Sequence, residues 1–409
     1  MASPVEQVTR LGPGTGLARY LVAAALARTA DEGARVALIV LALDRTGSAA
    51  IGGTMVATLL IPHVAAAPLI GALVDRARRP AMVLAGAIAG FAAGLAIPVA
   101  LLGHTSLWPS YLALAVAGCC GPAVTGGLTS RLSELTEPGR ETRAYGLDSL
   151  LYSVAGMAGP ALAGMVAAAA GPGVATGVLA AAAGLGAVTT ATLGFPAAGA
   201  AERRAGSVGL WDGAHAIVKE RDLRVLTLTT AFGQLGPGGL AIVATALAVA
   251  AHRPARAGLL LSAVAAGAFA GSLVWTWRPL PASRAPSVTG WAMSAFGLPL
   301  LLATAVRSLP VTAVLFALAG AANGPFTAAL FLARNQLSAE AVRTQIFTIG
   351  AGMKVACSAL GAGLMGFTAH LPVSVQLLLV AVSPIAAGVA GGVLLTRPHS
   401  RGSLRGARG

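Results

Sequence analysis

Twelve runs of mostly apolar residues, each long enough to cross a bilayer, are the feature that most limits what this chain can become. A membrane helix needs about 20 consecutive apolar residues, and lipid obliges every backbone N–H and C=O to pair within the spanning structure. The runs fall at about 17–42, 49–74, 80–103, 107–130, 144–169, 173–195, 223–250, 256–277, 286–306, 309–333, 343–368 and 373–396. Charged residues make up only 10% of the chain, against about 25% in a water-soluble domain. The pattern predicts an all-α membrane protein of twelve transmembrane helices. Ala, Gly, Leu and Val dominate, and small residues let helices approach closely in lipid, where packing replaces the hydrophobic drive.

The one long interruption, 196–222, splits the runs into six and six. It holds Glu202, Arg203, Arg204, Asp212, Lys219, Glu220, Arg221 and Asp222. Five segments are therefore expected: an N-terminal stretch 1–16, a six-helix bundle 17–195, a linker 196–222, a second bundle 223–396 and a basic tail 397–409. From Leu210 the linker reads as an amphipathic helix on the membrane surface. Residues 1–16 show no cleavable signal, so the first run is expected to act as an uncleaved anchor.

Lys and Arg fix the expected orientation, because cytoplasmic loops collect them. With the N-terminus inside, 21 of the 28 basic residues fall in cytoplasmic segments and only Arg45, Arg253, Arg256 and Arg307 outside. Both termini are thus placed in the cytoplasm.

The halves repeat at an offset of about 200 residues. Ala117–Pro122 recurs at Ala319–Pro325 with one insertion, and Arg131 falls opposite Arg334. Gly71-Ala72-Leu73-Val74 recurs as Gly271-Ser272-Leu273-Val274, and Gly159 and Gly164 fall opposite Gly361 and Gly366. The register is also asymmetric: Asp75 is met by Trp275. Such a repeat marks transporters whose halves rock around a site at the bilayer midplane.

Two segments carry a resemblance. The loop Gly71-Ala72-Leu73-Val74-Asp75-Arg76-Ala77-Arg78-Arg79-Pro80 resembles the signature between the second and third helices of the major facilitator superfamily, with Gly71, Leu73, Asp75, Arg76 and Arg79 matching. An acid ending one helix can pair across the interface between halves or cap a neighbouring helix N-terminus. Bonds of that kind, made in one state only, bias an alternating-access equilibrium. Residues 153–164 are similar to the antiporter motif of the same superfamily, with Gly156, Gly159, Pro160 and Gly164 matching and placed near one helix face. The resemblance implies the major facilitator fold, two pseudo-symmetric six-helix bundles, and its pattern is closest to bacterial drug and macrolide-type exporters. The turn Thr46-Gly47-Ser48 is similar to theirs as well. One departure is the fourth run, which has no internal Arg; Arg131 sits at its end.

Ionisable groups inside apolar runs are costly and usually face a bundle interior. The first run holds Arg28, Asp31, Glu32 and Arg35, at i+3 and i+4 spacings that allow pairing along one helix. The cluster is either a proton or substrate site, centred on Asp31 or Glu32, or a self-neutralised ladder. Lys354 is the only charge inside the eleventh run, about 16 Å from Arg343; a lone buried Lys needs a carboxylate, from Asp31, Glu32 or Asp148, or must lose its proton. Weaker candidates are His63, Gln234 beside the helix-breaking Gly236-Pro237-Gly238-Gly239, and Asn323 beside Gly324-Pro325. Gly71, Asp75, Arg76, Arg79, Arg131, Asp148, Gly156, Gly159, Pro160 and Gly164 are expected to serve conformational gating. Trp275, Trp277 and Trp291 read as interfacial anchors, and Cys119, Cys120 and Cys357 as small buried residues.

A formal charge of +14 points to no nucleic acid, because the basic residues lie in short loops without an aromatic platform. No Gly-x4-Gly-Lys-Ser/Thr phosphate loop, metal-ligand cluster or catalytic triad is present, so no cofactor, no metal and no enzyme activity are expected. The expectation is a monomer in a bacterial inner membrane that exports a small, partly hydrophobic molecule against protons. An importer or uniporter of the same fold, a non-transporting sensor or scaffold, and a membrane-embedded enzyme are the alternatives.

Overall fold

A computed structural model describes residues 15–195, 209–251, 256–279, 281–306, 308–368 and 370–396. The N-terminal stretch to residue 14, linker residues 196–208, Arg253, Arg307 and the basic tail lie outside the described residues. Thirteen helices carry the fold: α1 Thr15–Thr46, α2 Ala49–Arg76, α3 Pro80–Leu101, α4 Trp108–Ser130, α5 Glu141–Ala170, α6 Pro172–Ala191, α7 Asp212–Lys219, α8 Arg221–Ala250, α9 Ala257–Trp277, α10 Ala285–Ala303, α11 Leu309–Leu337, α12 Arg343–Phe367 and α13 Val373–Thr396. Eleven of the described helices are long and apolar enough to cross a membrane. The short α7 is not one of them. The other exception, α1, has 32 residues, or about 48 Å, but carries Arg28, Asp31, Glu32 and Arg35 in its middle. With α1, twelve helices span.

Within each half the helices meet through small residues. A Cβ on Gly33 would sit 2.8 Å from the carbonyl of Gly159, and one on Gly159 would sit 2.6 Å from the carbonyl of Thr29, so α1 and α5 touch backbone to backbone. In the second half Gly267, Gly271, Gly320 and Gly324 do the same between α9 and α11. The turn from α1 to α2 needs a glycine: Gly47 has φ +68°, and Ser48 then caps α2 by accepting from the Ile51 N–H.

Two helices depart from regularity. In α4 the chain passes through a π-helical turn at Ala123–Gly127, just after Pro122. α8 divides into Arg221–Phe232, Leu235–Gly238 and Leu240–Ala250, which is the break that its Gly-Pro-Gly-Gly run predicts. Those glycines lie against backbone of their neighbours: Gly236 on Val380 of α13 and Gly238 on Ser358 of α12. By contrast α11 runs through Gly324-Pro325 as one helix.

The halves join at one end, here called the basic end, where Arg76, Arg78, Arg79, Arg131 and Arg343 lie. On one side α2 meets α12: Gly71 lies against the Gln345 backbone, and Thr348 Oγ1 donates to the Ala67 carbonyl at 2.7 Å. On the other side α5 meets α9 and α11: Ser149 Oγ donates to the Gly324 carbonyl at 3.0 Å, and Ser153 and Ser272 hydroxyls lie 3.1 Å apart. Trp275 is buried in this second seam with Ala328 and Ala329. It is not the interfacial anchor expected of it, because the small faces of α5 and α11 enclose it; Trp277 and Trp291 are exposed. Helix α7, expected on the membrane surface, docks against the start of α12. Its Gly213 N–H donates to Gln345 Oε1 at 2.8 Å, and Ile217 packs with Leu223 and Ile346. Cys119 is exposed and Cys120 and Cys357 are half-buried, so none is the enclosed residue expected.

Only one glycine of the segment 153–164 makes a close approach. Gly156 and Gly164 face open space, with nothing within 4 Å of a built Cβ. Gly159→Ala is therefore expected to cost about 1–3 kcal/mol through forced separation of α1 and α5, while Gly164→Ala stays within about 0.5 kcal/mol of the parent. Thermal unfolding of the purified protein measures both; equal losses would contradict this packing.

Candidate functional site

A cavity of about 440 Å³ lies between the halves, on the far side of their junction. From the first half it is lined by Glu32, Arg35, Leu60, Thr125 and Tyr152. From the second come Gln234, Asn323, Arg334 and Lys354, together with Phe331 and Phe347. Five sequence candidates thus meet in one space: Glu32, Arg35, Gln234, Asn323 and Lys354. They come from α1, α8, α11 and α12, helices far apart in the chain.

Three aromatics from opposite halves lie together at this cavity. The Tyr152 and Phe331 ring centroids are 5.5 Å apart, and those of Phe331 and Phe347 are 6.3 Å apart. Aromatic pairs at such distances contribute about 0.5–1.5 kcal/mol beyond area burial. The scarcity of aromatics in the sequence (5%) suggests an aromatic-poor lining. The three present are concentrated where the halves close, so composition alone misses them.

The charged cluster of α1 divides in two. Arg35 pairs with Glu32 at 3.2 Å and Asp31 at 3.6 Å, which is the local ladder that the spacing allows. Arg28 does not join it. Its guanidinium points away, to Asp148 of α5 at 2.7 Å, and donates to Thr129 Oγ1 at 2.8 Å. Tyr20 Oη and Thr129 Oγ1 also donate to the Asp148 carboxylate, at 2.7 and 3.1 Å. Arg28 lies 3.8 Å from the centroid of the Tyr152 ring, and the Tyr152 hydroxyl donates to the Thr125 carbonyl. Arg28 and Asp148 are thus a buried support behind Tyr152 and do not line the cavity.

Lys354 has none of the carboxylates named for it within 4 Å, because Asp148 is taken by Arg28 and Asp31 and Glu32 by Arg35. Its ammonium lies 5.1 Å from the centroid of the Phe326 ring. His63 is buried outside the cavity lining, against Gly121 and within 3.4 Å of Thr125 Oγ1, a helix-packing position.

Arg334 is the cavity residue that motif reading overlooked. Counted with a loop in the charge balance, it is 1% exposed within α11. Among the described residues its guanidinium hydrogen-bonds only Thr230 Oγ1, at 3.5 Å, and its Nε has no partner. The repeat carried the signal, since Arg334 answers Arg131 while Trp275 stands where Asp75 would be needed.

At the basic end Asp75 is 4% exposed. It accepts from the Thr344 and Gln345 N–H groups at 3.1 and 2.9 Å and pairs with Arg131 at 3.0 Å. The first two donors open α12, whose N-terminal N–H groups have no partner in their own helix. Both roles that its position allows, helix cap and cross-half contact, are therefore made at once. Arg131 also pairs with Glu134 at 2.8 Å, whose carboxyl burial pushes above its ordinary value, against the pull of Arg131. Ser130 Oγ donates to Thr344 Oγ1 at 3.1 Å, and Ser133 Oγ to Asn335 Oδ1 at 2.9 Å. Arg79 is exposed and pairs with no acid within 4 Å among the described residues, and Arg76 is exposed.

The model of the major facilitator superfamily matches residues 20–235, more than half the chain and all the helices of its first half. The chain belongs to the major facilitator superfamily. It is a multi-pass membrane transporter of that family, and transporters of this kind are not enzymes. An uncharacterized MFS-type transporter, y4rN of Sinorhizobium fredii, is 27% identical over 92% of this chain and 94% of its own. The multidrug efflux pump Tap of Mycobacterium tuberculosis is 27% identical over 85% of each chain. Among solved structures, the human organic anion transporter MFSD10 superposes with a TM-score of 0.76 at 14% identity, over 94% of this chain and 100% of its own. An outward-facing bacterial homologue of the iron transporter ferroportin gives 0.74 at 14% identity, over 93% and 100%. These likenesses establish the twelve-helix facilitator fold.

Breaking the buried pair is costly because it strands a charge. Asp148→Asn alone is expected to lose about 3–5 kcal/mol of stability, and Arg28→Met with Asp148→Leu distinctly less. A double-mutant cycle on thermal unfolding checks this. An additive result would mean the two side chains do not act as a pair.

Proposed function

We propose that this facilitator exports a small, partly hydrophobic molecule across a bacterial inner membrane in exchange for protons, by alternating access and as a monomer. The observation that carries the reading is the cavity between the halves, lined by Glu32 and Arg35 from the first and by Arg334 and Lys354 from the second. A cavity shared by two rigid bundles can be exposed to either side by rocking them, and an acid at that depth costs little only when protonated or paired. The similarity to Tap supports export of a drug or metabolite. Proton exchange rests on Glu32 and Asp31, which share one arginine, so that protonating either releases Arg35 to the other.

The arginine distribution supports a cytoplasmic basic end. On that assignment the halves are joined on the cytoplasmic side and the cavity belongs to an outward-facing state. Asp75, Arg131 and the start of α12 then form the inner gate. Protons entering from outside would neutralise Glu32 or Asp31, weaken the pairing with Arg35 and reset the carrier toward the cytoplasm. Gly71 serves the same gate by letting α2 reach the Gln345 backbone. Domain boundaries at 17–195 and 223–396 go with this scheme, each bundle moving as a body.

In everted vesicles from an efflux-deficient host, Glu32→Gln is expected to abolish proton-driven efflux of the substrate found by a drug-susceptibility screen. Asp31→Asn should reduce it strongly, and an uncoupler should act on the parent alone. Undiminished, uncoupler-sensitive efflux by the Asp31→Asn/Glu32→Gln double variant would sink the proton assignment. Substrate-driven uptake of protons together with the molecule would instead indicate an importer.

Asp75→Asn weakens the gate without removing the hydrogen-bonding atom. It is expected to shift the population toward the state open at the basic end. Accessibility of a cysteine placed at Ser130 to a membrane-impermeant maleimide added from the cytoplasmic side should rise. Unchanged labelling would show that this carboxylate does not hold the gate.

A further inference from the structure

The second half presents two cations to the cavity with no acid to match them. Arg334 is 1% exposed; among the described residues its side chain bonds only Thr230, at 3.5 Å, and its Nε has no partner. Lys354, one of the cavity-lining residues, rests over the Phe326 ring and makes no ion pair within 4 Å among the described residues. In the first half Arg35 is already neutralised by Glu32 and Asp31. The excess of positive charge is therefore confined to the α11–α12 wall.

This wall is built. A Cβ on Gly350 would stand 2.3 Å from Nη2 of Arg334, so the glycine makes room for the guanidinium. Gly350 precedes Lys354 by four residues and shares its helix face. An unpaired cation at this depth costs several kcal/mol; two held side by side are compensated when a ligand brings the missing charge.

A second chamber of about 220 Å³ adjoins, sharing Gln234 and Asn323 with the main cavity. Its remaining walls are apolar, with Leu240, Val264, Met293, Phe296 and Phe326. Phe326, under the Lys354 ammonium, forms part of it.

We infer that the molecule carried is an amphipathic organic anion, its anionic group held between Arg334 and Lys354 and its apolar body lodged in the chamber of Met293, Phe296 and Phe326. The inference rests on the reading of this cavity as the transport site, and it names the chemical class that the site takes. A carboxylate suits both partners, accepting a forked pair of hydrogen bonds from the guanidinium and a third from the ammonium. Gln234 and Asn323, at the junction of the two spaces, supply polar contacts along the molecule.

The test uses three tritiated probes of one shape: 1-naphthoate, 1-naphthamide and 1-naphthylmethylammonium. Each is titrated onto the full-length protein in lipid nanodiscs. The naphthoate is expected to bind at least about tenfold more tightly than the other two, as one or more charge-assisted hydrogen bonds imply. Lys354→Gln and Arg334→Gln should each remove that preference, and Lys354→Arg should keep it. Equal binding of carboxylate and ammonium, binding of none of the three, or retention of the preference in both glutamine variants overturns the inference. The order of the three probes on the parent protein decides the matter even if a variant fails to fold. Efflux in everted vesicles is read separately. Carboxylate preference without proton-driven efflux supports the anion site while the exporter reading falls; efflux of a neutral or cationic drug by a protein lacking the preference does the reverse.

Discussion

One carboxylate ties the two halves together at the basic end. Asp75 ends α2, takes the first N–H groups of α12 and pairs with Arg131 at the end of α4. The first contact crosses between the bundles and the second lies within one. The cavity lies between the bundles, on the far side of that closure. The bonds are strong because they are charge-assisted and buried, yet they are all polar. Water can replace each of them when the halves part, which is not true of a seam made only of interdigitated apolar side chains. The proposed alternating access needs an interface that is stable in one state yet can open, and polar bonds over small-residue contacts suit both needs.

Behind the cavity the buried charges fall into two kinds. Arg28 and Asp148 are satisfied by each other, by Tyr20 and by Thr129, and they fix Tyr152 from behind. Arg35 with Glu32 and Asp31 is satisfied too, but more loosely, and the Arg35 side chain remains 38% exposed. The tight pair has the character of scaffold, and on the proposed reading the loose triad is the group whose protonation changes. Sequence spacing treats all four α1 charges as one cluster, since it records only separation along the helix. Which neighbour each side chain meets is set by the helix on the facing side. Here α5 brings Asp148 to Arg28, and Gly159 lets α5 come close enough to do so.

The fold was legible almost entirely in the chain itself, because lipid leaves so few options. Run lengths, the six-and-six division and the break in α8 at Gly236–Gly239 all follow from helix length and glycine and proline chemistry. The site was legible in part. Glu32, Arg35, Gln234, Asn323 and Lys354 stand out as polar groups within apolar runs, and they converge on one cavity. What periodicity does not carry is the facing partner. Trp275 reads as an anchor until the small faces of α5 and α11 are placed around it. Gly156 and Gly164 read like Gly159 until only one of the three meets another backbone.

Arg334 shows where the internal repeat says more than either half alone. The repeat sets an arginine ending one helix and a residue ending its neighbour at equivalent places in the two halves. In the first half these are Arg131 and Asp75, and the arginine is held at the basic end. In the second half the acid's place is taken by Trp275, which fills the α5–α9 seam with apolar bulk. The arginine is left without its local counter-charge, and Gly350 provides the hollow in which it turns inward to the cavity. The same repeat position thus holds a junction residue in one half and a cavity residue in the other. Among the described residues one half of the cavity has acids that already have a cation, and the other has cations with no acid within 4 Å. On the proposed reading, an asymmetric cavity of that kind separates the groups that exchange a proton from those that hold a charged ligand. Each can then change state without the two competing for the same side chain.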